Sequence, residues 1–103
     1  MHIKDKMRFY NLSESRLRRL LRNPQRIEKG IAPKTIAVMQ SAKAKGKNEI
    51  WLMYQLVAKK PSINLPRIRM ISAWRYPGKS PAGKPPIPED ILQEIKKLIE
   101  NPE

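Results

Sequence analysis

Residues 49–58, with the sequence EIWLMYQLVA, decide the fold because they are apolar on both alternating faces. A strand of this kind must be covered on both sides, so it belongs in the middle of a sheet or beneath helices. The neighbouring segments 34–40 (KTIAVMQ) and 67–75 (RIRMISAWR) are also rich in β-branched and apolar residues. Short connections between consecutive strands favour an antiparallel meander, here of three strands with room for a fourth.

In the last of these strands, strict alternation predicts two different faces. One face carries Ile68, Met70, Ser72 and Trp74, and the other carries Arg67, Arg69, Ile71, Ala73 and Arg75. Arginines two residues apart on one face suit adjacent phosphates, and aromatic residues beside them can stack on unpaired bases. For Trp74 the alternative is a core position, and for Trp51 the core position is preferred.

Helices are predicted before and after the strands in the sequence. Residues 2–9 form a short first helix, and a second begins after Ser13, whose hydroxyl suits the N-cap. The second helix ends at Asn23-Pro24, because proline disfavours helical geometry in the preceding residue. Residues 76–87 form a basic loop rich in proline and glycine, and residues 88–101 form the C-terminal helix. The order α-α-β-β-β-α predicts one α+β domain spanning residues 1–103.

The charge balance points to an anionic partner. The chain has 103 residues, with 22 Lys and Arg against nine Asp and Glu, and a formal net charge of +13. Only four of the acidic residues precede position 89, so most of the chain is cationic with little local compensation. Self-repulsion at this density is relieved by a polyanion, and nucleic acid is the leading candidate. The alternatives are a charge that only maintains solubility, or an acidic protein partner.

Composition excludes several kinds of site. The absence of cysteine excludes disulfides, thiolate zinc sites, iron–sulfur clusters and cysteine nucleophiles. A single histidine excludes multi-histidine metal sites, and the one adjacent carboxylate pair, Glu89-Asp90, fits charge at a helix N-terminus. We therefore expect no metal or cofactor. No apolar run reaches the roughly 20 residues of a membrane span, so a soluble, cytoplasmic protein without a membrane partner is expected.

Candidate nucleic-acid-binding residues are basic side chains with few acidic neighbours, together with one aromatic residue. An arginine-rich helix surface can also be an ordinary solvated face, but unpaired guanidinium groups are what phosphate binding uses. The candidates are Lys6, Arg16, Arg18, Arg19, Arg22, Arg67, Arg69, Trp74, Arg75, Lys79 and Lys84.

The N-terminal segment carries a family resemblance. Residues 2–14 (HIKDKMRFYNLSE), followed by an apolar helix and Asn23-Pro24, resemble the opening of small bacterial domains of unknown function. These domains are distantly similar to the RelE-type and BrnT-type ribonuclease toxins, whose fold packs helices on an antiparallel sheet. Residues 69–73 (RMISA) are similar to the Arg-x-Ile-Ser-Ala of the BrnT-type third strand. The match covers roughly residues 2–28 and 67–75.

The resemblance implies cleavage of RNA, free or on the ribosome, without a metal ion. His2 and Arg69 match family positions for this chemistry, and Lys6 matches a basic position. This sequence lacks a strand residue that often precedes the family histidine, so Tyr76 or Tyr54 are the alternatives for proton transfer. Two further hypotheses stay open: a non-catalytic nucleic-acid-binding protein, and a toxin-like module that binds an acidic protein such as an antitoxin.

Overall fold

Four antiparallel strands form the centre of the molecule. The computed structural model describes residues 3–42, 48–57 and 67–100, and in this part the strands form one sheet in the order β1-β2-β3-β4. In chain order the elements are α1 (Ile3–Phe9), α2 (Glu14–Arg22), β1 (Arg26–Lys29), β2 (Thr35–Ala42), β3 (Asn48–Val57), β4 (Arg67–Pro77) and α3 (Glu89–Glu100). The predicted α+β class is confirmed, and the meander has four strands, which is the alternative that the sequence left open.

Strand β3 separates two hydrophobic cores. Ile50 and Leu52 pack with α1 and α2 on one side of the sheet, whereas Trp51 and Met53 pack with α3 on the other. All four side chains are at most 2% exposed. The predicted strand is confirmed up to Val57, and helices cover both of its faces at residues 50–53; Ala58 lies outside the described residues.

Strand β1, with the sequence Arg-Ile-Glu-Lys, is the element that sequence reasoning missed. It pairs with β2 from Arg26 opposite Met39 to Lys29 opposite Ile36. A four-residue segment with three charged side chains has no apolar face to identify it as a strand. It forms at the edge of the sheet, where charged residues are tolerated and discourage pairing with other chains.

Helix α2 begins and ends where its sequence signals predict. The Oγ atom of Ser13 accepts a hydrogen bond from the backbone N–H of Arg16 at 3.1 Å, which completes the N-cap. At the other end, the backbone N–H of Asn23 donates to the carbonyl of Arg19 at 2.9 Å. Leu17 and Leu20 are buried against the sheet, and the arginines project from the rest of the helix.

A β-bulge in β4 overturns the predicted alternation of that strand. Met53 is opposite Ser72 and Tyr54 is opposite Met70, so Ile71 is an extra residue in the register. Beyond such a bulge, side chains change faces relative to a regular strand. Met70 accordingly packs on the α1 and α2 side, although Trp74 packs on the α3 side.

The same bulge separates two arginines that were predicted to share a face. Arg69 is opposite Gln55, which lies two residues beyond Met53 on the α3 side, and Arg75 is opposite Ile50 on the α1 and α2 side. The prediction that Arg69 and Arg75 face the same way is wrong. One inserted residue is the physical reason, because the side-chain period of a strand is two.

Candidate functional site

In the described ranges, three basic side chains form ion pairs with carboxylates. Lys6 Nζ lies 2.7 Å from Asp90 and 3.5 Å from Glu94, so it joins α1 to α3. Arg18 pairs with Glu14 on the surface of α2, and Arg26 pairs with Glu28 and Glu49. The other basic side chains that the structure describes, a set that does not include Arg67, have no carboxylate within ion-pair distance. Their charge is available to an external anion.

The turn between α1 and α2 supplies backbone carbonyl groups that can bind one of these cations. The backbone N–H of Leu12 donates to the carbonyl of Met7 at 2.7 Å, and that of Asn11 donates to Arg8 at 3.2 Å. Asn11 has φ of 55°, which asparagine tolerates better than most residues. This pattern is a Schellman motif. It ends α1 abruptly and leaves the carbonyls of Tyr10 and Asn11 available to accept other hydrogen bonds.

Arg75 of β4 fills this position and is held entirely by neutral acceptors. Its Nε donates to the carbonyl of Tyr10 at 2.7 Å, and its Nη2 donates to the carbonyl of Asn11 at 3.1 Å. Its Nη1 donates to Oδ1 of Asn48 at 3.2 Å. These contacts fix the plane of the guanidinium group but leave its positive charge uncompensated.

Arg75 lies in an open groove with two further arginines, Arg8 and Arg16. The groove has a volume of about 570 Å³ and is formed where the ends of α1, β2 and β4 meet the starts of α2 and β3. No acidic residue lines it. The lining residues are Met7, Arg8, Asn11, Leu12, Ser13, Arg16, Ala42, Ile50 and Arg75. We call this feature the arginine groove.

The positive charges around the arginine groove repel one another. Partial burial lowers the pKa of Arg16, and the positive charges of Arg19 and Arg75 lower this pKa further. In the described part of the chain, the Arg16 side chain donates only one weak hydrogen bond, from Nη2 to the carbonyl of Ser41 at 3.4 Å. An anion in the groove would remove this repulsion, because it would supply the missing opposite charge.

Two of the predicted binding residues are neutralised within the protein. The hydrogen bond to Asp90 raises the pKa of Lys6, which outweighs the effect of partial burial, and the charge of Glu94 adds to it. Lys6 therefore holds α3 against α1. Arg18 is exposed but paired with Glu14 one helical turn earlier. Both cations have a partner already, which reduces what each can contribute to binding an external phosphate.

Trp74 is a core residue, and the alternative of base stacking is wrong for this structure. Its side chain is 0% exposed and stacks on Trp51 with ring centroids 6.2 Å apart and planes 6° from parallel. Sequence alternation could not decide this point, because it does not show which face of the strand α3 covers. Tyr76 is half-buried against the same core.

Two of the residues predicted to act in RNA cleavage, Arg69 and Tyr76, do not meet. Arg69 is exposed near the start of β4 and Tyr76 lies near its end, seven residues later. At about 3.3 Å per residue this separates their backbones by about 20 Å, more than one phosphate can bridge. His2 and the side chain of Arg67 lie outside the described residues. The tyrosine alternative, Tyr54, packs in the core on the α1 and α2 side.

The other predicted cations are exposed at separate places. Arg19 and Arg22 lie on the outer surface of α2, one turn and two turns beyond Arg16. Lys79 and Lys84 lie in the loop between β4 and α3. Of the predicted residues, the structure therefore brings together Arg16 and Arg75, with Arg19 close by. Arg8, which sequence reasoning omitted, completes the groove, and no local sequence signal distinguished it, because Asp5 lies three residues earlier on α1.

A buried polar network holds the proline-rich loop against the sheet. Glu49, only 3% exposed, accepts hydrogen bonds from Ser80 Oγ at 2.6 Å and Trp51 Nε1 at 3.0 Å. Arg26 donates to Ser80 Oγ at 2.8 Å and to the carbonyl of Pro81 at 2.9 Å. The guanidinium carbon of Arg26 also lies 5.0 Å from the centre of the Trp51 ring. This network has a structural role, because its polar groups are mutually satisfied.

Replacement of Glu49 by glutamine tests the network. Burial alone would raise the pKa of Glu49, but hydrogen bonds from Ser80 and Trp51 and the charge of Arg26 hold it below its ordinary value of 4.5. Ionised Glu49 therefore stabilises the fold above pH 4.5, and this contribution is lost as the pH falls through the lowered pKa. We expect Glu49→Gln to lower the free energy of unfolding at pH 7 by about 1–3 kcal/mol.

The measurement is urea denaturation at several pH values. Between pH 7 and acidic pH, the free energy of unfolding should fall less in the variant than in the native protein. Part of the loss that remains should come from Asp90, because its hydrogen bond with Lys6 lowers the pKa of this carboxyl group. An unchanged acid dependence in Glu49→Gln would contradict the role given to this carboxylate.

Comparisons with known proteins found no match. No family profile, no curated protein and no solved structure matches this chain. Within the described ranges, no three acidic or histidine side chains lie close enough to hold a metal ion. No helix in those ranges is long and apolar enough to cross a membrane. The arginine groove is the feature of the fold from which a function can be inferred.

Proposed function

We propose that this protein binds RNA by its phosphate groups, through the arginine groove. The observation that carries the proposal is the position of Arg8, Arg16 and Arg75 around one open concavity whose lining contains no acidic residue. Arginine presents planar N–H donors that match phosphate oxygens, and a phosphate supplies the charge that the groove lacks.

RNA is chosen because of the sequence resemblance to the RelE-type and BrnT-type toxins, which is itself part of the proposal. Arg19 and Arg22 extend the positive surface away from the groove at successive turns of α2. Residues three apart on a helix are about 5–6 Å apart at Cβ, a short enough spacing for successive phosphates to contact successive arginines. A strand of RNA would therefore start in the groove and continue along α2.

Binding without cleavage fits the geometry better than a ribonuclease does. Arg69 and Tyr76 lie at opposite ends of β4, so this pair does not form a shared site around one scissile phosphate. General acid–base catalysis needs both groups within hydrogen-bond reach of the same substrate. Incubation with RNA in EDTA followed by electrophoresis should leave the RNA intact, and metal-free cleavage would show that the catalytic hypothesis is correct.

Two single substitutions on α2 test where RNA binds. Arg16 lies in the groove without a carboxylate partner, and Arg18 lies on the same helix paired with Glu14. Arg16→Gln should weaken RNA binding about tenfold, because one charge-assisted contact is lost. Arg18→Gln removes the same charge and should have a much smaller effect.

The measurement is fluorescence anisotropy with single-stranded RNA over a range of salt concentrations. Loss of one phosphate contact should reduce the slope of log affinity against log salt by about 0.7 for Arg16→Gln. Equal losses in Arg16→Gln and Arg18→Gln would show that general charge, and not the groove, accounts for binding. Tight binding of an acidic protein in place of RNA would overturn the proposal.

A further inference from the structure

The donors left free in the arginine groove indicate what kind of phosphate it takes. A guanidinium group has five N–H donors, and Arg75 uses three of these donors in hydrogen bonds to neutral acceptors. Arg16 makes the single weak bond to Ser41, and Arg8 donates to no acceptor among the described residues. Most of the donors of Arg8 and Arg16 are therefore unused. The groove can donate to more oxygens than one internal phosphodiester exposes.

The charge in the groove leads to the same conclusion. Three guanidinium groups surround one concavity without a carboxylate, and Arg16 is close enough to Arg75 and Arg19 to be affected by their charges. An internal phosphodiester brings one negative charge, whereas a phosphomonoester brings nearly two at neutral pH. The second charge is worth more here than on an open surface, because Arg16 is partly buried.

The groove also has an apolar floor beside its cationic rim. Leu12, Ala42 and Ile50 are each buried to more than nine-tenths yet line the concavity. The volume of about 570 Å³ lies within the range of sites that enclose a small organic molecule. A nucleoside can rest on this floor while its phosphate meets the arginines. A continuous strand would have to leave the concavity at both ends.

We propose that the arginine groove recognises the phosphorylated end of an RNA strand, with the terminal phosphomonoester between Arg8, Arg16 and Arg75 and the terminal nucleoside on the apolar floor. This inference rests on the proposed function and makes it more specific. The terminal phosphate has three outward oxygens and a single chain attached, so three arginines can approach it together. Arg75 is already oriented for this contact by Tyr10 and Asn11.

The test compares RNA strands of one sequence that differ only at their ends. One strand carries a 5′-phosphate, one a 3′-phosphate, and one has hydroxyl groups at both ends. A fourth, with hydroxyl ends and two additional nucleotides, matches the total charge of the phosphorylated strands. Anisotropy should show one phosphorylated strand binding at least about tenfold more tightly than the charge-matched strand, since one additional charge-assisted contact is worth this much.

The arginine variants separate the two proposals. Arg16→Gln should remove the preference for the phosphorylated end, whereas Lys96→Gln on α3 should keep it. Equal binding of all four strands, still weakened by Arg16→Gln, would overturn end recognition and leave RNA binding in the groove intact. Failure of every strand to bind at low salt would overturn both. A preference for the 5′ or the 3′ phosphate identifies the end.

Discussion

Replacement of Trp74 by alanine is expected to lower the free energy of unfolding by about 3–5 kcal/mol. The indole is 0% exposed and stacks on Trp51 at the centre of the core on the α3 side. Its removal leaves a large cavity between two strands and a helix that cannot close completely. Chemical denaturation followed by circular dichroism measures the loss. A change below about 1 kcal/mol would mean that Trp74 is not packed as described.

Trp74→Phe distinguishes a core role from a role in RNA binding. Phenylalanine retains an aromatic ring and much of the buried volume, so the fold should survive with a smaller loss of stability. RNA affinity should then equal that of the native protein, because the buried ring touches no ligand. If Trp74→Phe folds normally but binds RNA several times more weakly, Trp74 reaches a base and the assignment to the core is wrong.

The second large effect is expected in the double variant Arg8→Gln/Arg16→Gln. Both side chains line the arginine groove, and neither has a carboxylate partner in the described part of the chain. Two lost charge-assisted contacts at about 1.5–3 kcal/mol each predict a loss of RNA affinity of about a hundredfold or more. The salt dependence should also become weaker, by about 0.7 in slope for each phosphate contact.

Lys96→Gln/Lys97→Gln is the matched control for this double variant. It makes the same change in net charge, but both lysines are exposed on α3, on the opposite side of the sheet from the groove. RNA affinity should fall only slightly, and both variants should unfold at similar urea concentrations. If the α3 variant loses as much affinity as the groove variant, the protein binds through its overall charge.

The elements with strong local signals were predictable from sequence. Residues 49–58 carry apolar side chains on both faces of the predicted strand, so both faces had to be covered. The buried side chains of β3 show this cover. Ser13 identified the start of α2 because a hydroxyl at that position accepts a free backbone N–H. Both predictions depend on interactions within a few residues or on a single periodic pattern.

The missed features depend on contacts between distant segments. Strand β1 forms because residues 26–29 pair with β2, and no property of those four residues predicts this pairing. The bulge at Ile71 comes from the pairing of β3 with β4, and it reverses the predicted faces for half of the strand. Arg8 joined the candidate site only because the ends of five elements meet in space. The sequence identified an excess of cations, but not which of them converge.

The binding of Arg75 to Tyr10 and Asn11 has a consequence for how this protein can change over time. The same guanidinium group that supplies charge to the groove also completes the hydrogen bonding of the turn where α1 ends. A substitution that discards the charge would also loosen the junction between a helix and the sheet. Ligand binding and the stability of the fold therefore depend on the same side chain. Loss of Arg75 would lower the stability of the protein even in a lineage that no longer needed the ligand.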